Sequence, residues 1–245
     1  MRSFSSELIL ILSLGPICLG SAYGQIHSDL YEGPVQVGIF GDLVTSARLY
    51  PASRDADPTI SETYYGLGLF LSEGLDLRMS LNRSNSIGIV LQPLHLNKTT
   101  STIYGYDKAG NYLGVPVNDG FTIYAVEVNG YFRIPVVGDA WSIYLGGGPA
   151  VYLGRRVLAV GNAEAVTPYA TAAGIQVLAG VSFMFADHFG VRSELKFRSP
   201  ELNTVSTFNS SYTVYDGVRV SLPGTLYSKV NVDGTDFTLG VFFEP

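Results

Sequence analysis

Leu67-Gly68-Leu69-Phe70-Leu71-Ser72-Glu73-Gly74-Leu75-Asp76-Leu77-Arg78-Met79-Ser80-Leu81 carries an apolar side chain at every odd position except Glu73. Period-two alternation of that length marks a β-strand with one apolar face and one small or polar face. The same rhythm returns at Val35–Leu43, Tyr124–Ile134, Trp141–Leu153, Ile175–Phe185, Val191–Phe197 and Phe237–Phe243. No stretch of comparable strength has helical spacing outside the first few residues. The fold therefore turns on what the apolar face touches, a protein core or lipid.

The N-terminus bears on that question. Arg2 precedes an apolar run, Leu8–Leu14, then Gly15-Pro16, with Ala22 and Gly24 three and one residues before Gln25. This pattern predicts a secretory signal peptide over residues 1–24, cut after Gly24. The run is too short to cross a membrane as a helix. Cys18 is the only cysteine, and it leaves with that segment. The mature chain then has no thiol for a disulfide, a cysteine–zinc site or a nucleophile. Removing Arg2 and Glu7 leaves the net charge at -6. With no basic run, that charge argues against a nucleic-acid partner. Residues 25–245 are predicted to form one domain.

Alternation places eight strands: Pro34–Val44, a strand within Tyr64–Leu81, Ile87–Leu96, Phe121–Ile134, Trp141–Leu153, Ala173–Phe185, Gly190–Arg198 and Asp236–Phe243. Hairpin-length links, Asn82–Ser86, Pro135–Ala140 and Ala186–Phe189, alternate with connections of about twenty residues or more. Strict alternation of long and short links puts all the long ones at one end of an up-and-down meander. The predicted fold is all-β: an eight-stranded antiparallel up-and-down transmembrane β-barrel with long extracellular loops and short periplasmic turns.

Face chemistry points the same way. Leu75, Leu77, Val126, Val128, Ile143, Leu145, Leu239 and Val241 share the apolar face, whereas the opposite face combines Gly74, Gly146, Gly180, Gly190 and Gly240 with charges. A solvated sheet surface favours Thr, Lys and Glu over glycine; a narrow barrel interior has room for little else than glycine and mutually neutralising charges. Trp141, Phe132 and Phe185 near the short turns, and Tyr64, Tyr124 and Tyr152 near the long loops, suggest interfacial girdles. A soluble barrel of the lipocalin kind would turn the apolar face inward. Glu73 either stays on the outer face or is turned inward by a bulge at Ser72-Glu73-Gly74.

Three segments carry a resemblance. Tyr144-Leu145-Gly146-Gly147-Gly148-Pro149-Ala150-Val151-Tyr152-Leu153-Gly154 resembles the fifth strand of small outer-membrane barrels of the opacity/adhesion-type superfamily. Gly180-Val181-Ser182-Phe183-Met184-Phe185 with Arg192-Ser193-Glu194-Leu195-Lys196-Phe197 resembles the next hairpin of that family, which carries an inward glutamate. Phe237-Thr238-Leu239-Gly240-Val241-Phe242-Phe243 is similar to the aromatic-ended last strand read by the barrel-assembly machinery, although Glu244-Pro245 follow it here. The resemblance implies an outer-membrane address, with membrane lipid and lipopolysaccharide as surroundings. It implies no particular activity.

Candidate functional residues fall into two groups. Arg78, Glu127, Arg133, Arg192, Glu194 and Lys196 share the inner face and are expected to pair across the lumen, because isolated charges in a confined interior are expensive. Tyr104, Tyr106 and Tyr112 in the second long loop, and Tyr212, Tyr215 and Arg219 in the fourth, are candidates for contact with an extracellular ligand. Asp216-Gly217 between alternating apolar residues predicts a tight hairpin there. No metal-ligand cluster, cofactor motif or catalytic residue is expected. Gly146-Gly147-Gly148 lies within a strand and is no phosphate loop. His95, at the loop end of its strand, has no serine partner two residues on, where Asn97 stands. The expectation is a non-enzymatic barrel whose second and fourth long loops meet something outside the cell. A narrow channel or conduit for small hydrophobic solutes, and a barrel that modifies lipid A through His95, are the alternatives.

Overall fold

The computed structural model describes residues 34–106, 112–134 and 140–245, with backbone alone over 96–106 and 112–113. The expected signal peptide lies outside the described residues. Eight antiparallel strands close on themselves: β1 (Val35–Val44), β4 (Phe70–Ser80), β5 (Asn85–Tyr106), β6 (Tyr112–Ile134), β7 (Trp141–Val160), β9 (Ala170–Ala186), β10 (Phe189–Arg198) and β15 (Gly234–Phe243). Each pairs with the next in this order, and β15 returns to β1 with Ile39 opposite Val241. Closure gives each of the eight strands a partner on both sides, as a membrane favours where unpaired backbone groups would have no water to bond.

The apolar face points outward. Leu71 and Ile175 are each 76% exposed, and Val37, Ile39, Leu75, Leu77, Val177, Leu195, Leu239 and Val241 are exposed with them. Trp141, Phe132, Phe185, Phe189 and Phe243 ring the short-turn end, while Phe197 and Phe237 stand further up. Such a belt is stable only against lipid. Inside, large rings lie over glycines. A Cβ on Gly74 would fall within the Phe40 ring, on Gly190 within Phe242 and on Gly180 within Tyr144. The glycine-rich face is thus the space into which interior aromatics pack.

The opening stretch, Leu67 to Leu81, is not one strand. Gly68 has a left-handed φ of +73°, and β4 begins only at Phe70. Below the break the odd positions face out. Above it, Leu67 is buried although its number is odd. Glu73 stays outside: it faces Gly41 in an unbroken β1–β4 register, so no bulge turns it inward.

The long connections are β-structured. Around the loop end run β2 (Arg48–Tyr50), β3 (Tyr65–Gly66), β8 (Ala163–Val166), β11 (Glu201–Phe208) and β14 (Thr225–Asn231). Their order, β3-β2-β14-β11-β8-β7-β6-β5, makes a second tier on the extended barrel strands. The hairpin of β12 (Tyr212–Tyr215) and β13 (Val218–Ser221) forms a separate two-stranded sheet. One helical turn, α1 (Pro58–Ser61), is capped by Asp57, whose Oδ1 accepts from the Thr59 amide at 2.9 Å. The expected loops are therefore replaced by a folded extension.

Candidate functional site: the lumen and the extracellular tier

Even-numbered residues of β4, β10 and β15 point into the lumen and build two charged layers. In the layer nearer the short turns, Arg78 Nε donates to Asp76 Oδ2 at 2.8 Å. Arg78 also binds Glu194, and Arg192 binds Asp76. Tyr144 Oη donates to Glu194 Oε1 at 2.6 Å. The Arg78 guanidinium is stacked 3.9 Å from the Tyr131 ring centre.

The layer above centres on Arg198, which has no exposed side-chain surface. Its Nε lies 2.7 Å from Asp236, and its terminal nitrogens lie 3.4 Å from Glu127 and 3.5 Å from Asp42. Lys196 Nζ sits 2.9 Å from Glu127 Oε2. Gln92 accepts from Arg198 at 2.9 Å and donates to Asp42 at 2.6 Å, and Thr238 donates to Asp42 at 2.8 Å. Burying charges is tolerable only with this degree of pairing and hydrogen bonding.

Toward the loop end the lumen becomes apolar. Val44, Leu49, Leu67, Leu94, Phe121 and Ile123 pack with Leu202, Val230 and Val232 across the axis. Five of these, Leu49, Leu67, Leu202, Val230 and Val232, come from the connections and not from the barrel wall. Above this cap, Asp119 receives both Arg156 Nε, at 2.7 Å, and the Tyr65 hydroxyl. Burial, then the Asp119 carboxylate, pushes the Tyr65 hydroxyl well above the usual phenol range. A second apolar cluster, with Val115, Val117, Leu158, Val160, Phe208 and Leu222, forms the core of the extracellular tier.

Of the six expected lumen residues, Arg78, Glu127, Arg192, Glu194 and Lys196 lie in these layers. Arg133 does not. It faces the same way as Tyr131 but two residues nearer the turn, past the last packed layer, and its side chain is exposed. Asp42, Gln92, Arg198 and Asp236 belong to the network beside them; their even numbering was the available signal.

Among the loop candidates, Arg219 lies 3.8 Å from the centre of the exposed Tyr212 ring. Asp216 and Gly217 take positive φ of 48° and 73°, the type I′ pattern of a two-residue hairpin. Tyr215 is partly buried and packs against the tier's core. Tyr106 faces Tyr112 and Tyr104 faces Gly114 at the tip of β5–β6, their side chains lying outside the description. Three surface pairs had no sequence signal: Arg48 over Tyr64 at 5.3 Å, Arg54 over Tyr227 at 4.7 Å and Lys229 over Tyr50 at 4.6 Å. The first pair lies within one connection folded back by β2–β3 pairing, and the other two join the first and last connections, which β2–β14 pairing brings together. His95 is exposed, edge-on to Tyr124 at 6.3 Å. Among the described residues no cluster of three His, Cys, Asp or Glu side chains could hold a metal.

No protein-family model and no curated protein matches the sequence. Solved structures do. The outer membrane protein OprG from Pseudomonas aeruginosa superposes with a TM-score of 0.57 at 12% identity, over 87% of this chain and 97% of that one. Neisserial surface protein A gives 0.46 at 13% identity, over 86% and 97%. Ail, the attachment invasion locus protein of Yersinia pestis, gives 0.42 at 13%, over 87% and 99%. The chain has the fold of the small eight-stranded outer-membrane barrels.

Proposed function

We propose that this chain is an integral outer-membrane barrel with a sealed axis, exported by a signal peptide over residues 1–24, that holds a preformed β-sheet platform outside the cell for contact with an extracellular partner. The observation that carries the reading is the double filling of the lumen: the paired charges around Arg198, and above them the apolar cap containing Leu49, Leu202 and Val230. Small barrels are filled by their own side chains in this way. The surface offers Tyr212 with Arg219 and the three tyrosine–cation pairs, a chemistry of stacking rings and donors suited to recognition. No catalytic role is assigned to His95, whose ring contact is Tyr124.

Planar-bilayer recording tests the sealed axis. The refolded mature protein is expected to show no defined unitary conductance. A unitary conductance that changes in Glu127→Gln or Arg192→Gln would overturn the reading.

One observation favours a conduit for small hydrophobic solutes as the second reading. The β4–β5 ladder ends at Leu75–Leu91, whereas β1–β4 pairing continues to Phe70. Pro93 has no N–H to continue it, and Ser72 Oγ donates to the Pro93 carbonyl at 2.6 Å instead. On this reading that seam, beside the exposed Leu69 and Leu71, is the sideways exit into lipid. Uptake of a hydrophobic solute into vesicles bearing the protein, faster than into empty vesicles, would favour this reading over the platform.

A further inference from the structure

The short-turn mouth of the barrel is built differently from the sealed lumen above it. Arg78, Arg133 and Arg192 line one cavity there together with Ser86, Ser142 and Ser182. The side chains come from six neighbouring strands, because the register sets Ser142 opposite Ser182 and Ser182 opposite Arg192, with Ser86 opposite Tyr131 across the ring. About 30 Å³ of the space is open to the centres of water molecules, enough for two or so waters or for the oxygens of one small anionic head.

The described lining holds three guanidiniums and no carboxylate; Asp76 and Glu194 lie behind Arg78 and Arg192 and are engaged by them. At the rim Glu244 accepts a hydrogen bond from Gln36 at 2.7 Å. Arg133 has no ion-pair partner among the described residues. The hydroxyls of Ser86, Ser142 and Ser182 have no hydrogen-bond partner among them either. Arg192 is nearly buried, yet its Nε is unbonded. Arg78 and Arg192 are fixed in place, the first over Tyr131 and the second 4.4 Å from the Phe242 ring centre.

Guanidiniums and hydroxyl donors around a cavity that no carboxylate lines are the elements of an oxyanion receptor, since a planar guanidinium fork matches carboxylate and phosphate oxygens alike. We propose that the periplasmic mouth is a binding site for a small oxyanionic head, a terminal carboxylate or a phosphate monoester, with Arg133 as its open-side ligand and the three serines as neutral donors. The rest of the bound molecule lies in the periplasm, because the lumen above is closed by Asp76 and Glu194. The site is independent of what the extracellular platform meets.

The test uses the full mature protein in detergent micelles, with amide NMR shifts of Arg133, Ser142 and Ser182 followed against inorganic phosphate, against acetate, and against chloride at equal ionic strength. Saturable shifts at these residues with phosphate or with acetate, and none with chloride, are expected. Saturation by acetate alone identifies a terminal carboxylate, and by phosphate alone a phosphate monoester. Arg133→Gln is expected to weaken binding about tenfold or more, the loss of one charge-assisted bond. Arg133→Lys should retain part of it, and Arg155→Gln, on the loop side of the barrel, should change nothing. Arg133 is exposed and unpaired, so heat-modifiable migration should show Arg133→Gln to be folded. Absence of saturable shifts with both anions, or unchanged binding in folded Arg133→Gln, would overturn the proposal.

Discussion

Arg198 has no exposed side-chain surface, and Asp42, Glu127 and Asp236 all lie within ion-pair distance of it. Its removal leaves three carboxylates around one remaining cation, Lys196. Breaking a buried pair by deleting one partner costs about 3–5 kcal/mol, because the other charge stays buried. Arg198→Met should therefore lower stability by about that amount in urea unfolding of the refolded barrel. Removing both members of a pair, Lys196→Met with Glu127→Met, should cost much less, since no charge is stranded. An equal loss in both variants would mean that shape, and not charge, governs this layer. Arg192, Glu194 and Lys196 were legible in the sequence because one strand of fixed parity carries them. Arg198 and Asp236 continue the same parity but stand at expected strand ends, where a boundary hides which face a side chain joins. Arg133 shows the converse: parity gave its direction correctly, but parity has no information on whether a packed layer exists at that height.

At the level of elements, the membrane-spanning strands were readable because lipid imposes a sharp alternation, and the extracellular strands were not, because nothing comparable acts on them. In β11 the buried set is Leu202, Thr204, Ser206 and Phe208, half of it polar, and Val205 is exposed among polar residues. Thr204 and Ser206 are instead satisfied by Ser228 and Thr167. In β5 the register shifts between Thr99 and Ser101, so the parity of the lower strand does not carry upward. The exception is the β12–β13 hairpin, where Asp216-Gly217 announces its turn by the backbone it requires. Gly217→Val places a β-branched residue at a φ of 73°, a strain of about 1–3 kcal/mol. Amide exchange should then accelerate over residues 212–221 while amides of β10 and β15 remain protected. Uniform loss of protection would show that the hairpin is folded jointly with the barrel. Amides of β11 and β14, by contrast, should resist exchange in the unaltered protein as ladder amides do, not exchange freely as those of an unstructured loop would.

For the whole molecule, two fillings of opposite chemistry lie in series along one axis, and they differ in how they fail. The cap is held by apolar packing among side chains that span barrel wall and connections. Truncating Leu49 and Leu202 to alanine opens cavities there at about 2–5 kcal/mol each. The charged layer below draws its partners from β1, β5, β6, β10 and β15, all in the barrel wall, and so does not depend on the cap for its geometry. Leu49→Ala with Leu202→Ala should consequently destabilise the extracellular tier yet leave planar bilayers silent. Adding Arg198→Ala and Lys196→Ala to that background removes the cations that hold Asp42, Glu127 and Asp236 together, and mutual repulsion of the three carboxylates should then draw water and cations into the lumen. The four-fold variant is expected to conduct, with cations preferred over anions because the residual lining is acidic. If the cap variant alone conducts, the charged layer is no barrier by itself. If the four-fold variant, shown to be folded by its heat-modifiable migration, stays silent, the closure lies in the narrowness of the ring-filled interior, where Phe40, Tyr144 and Phe242 lie over glycines.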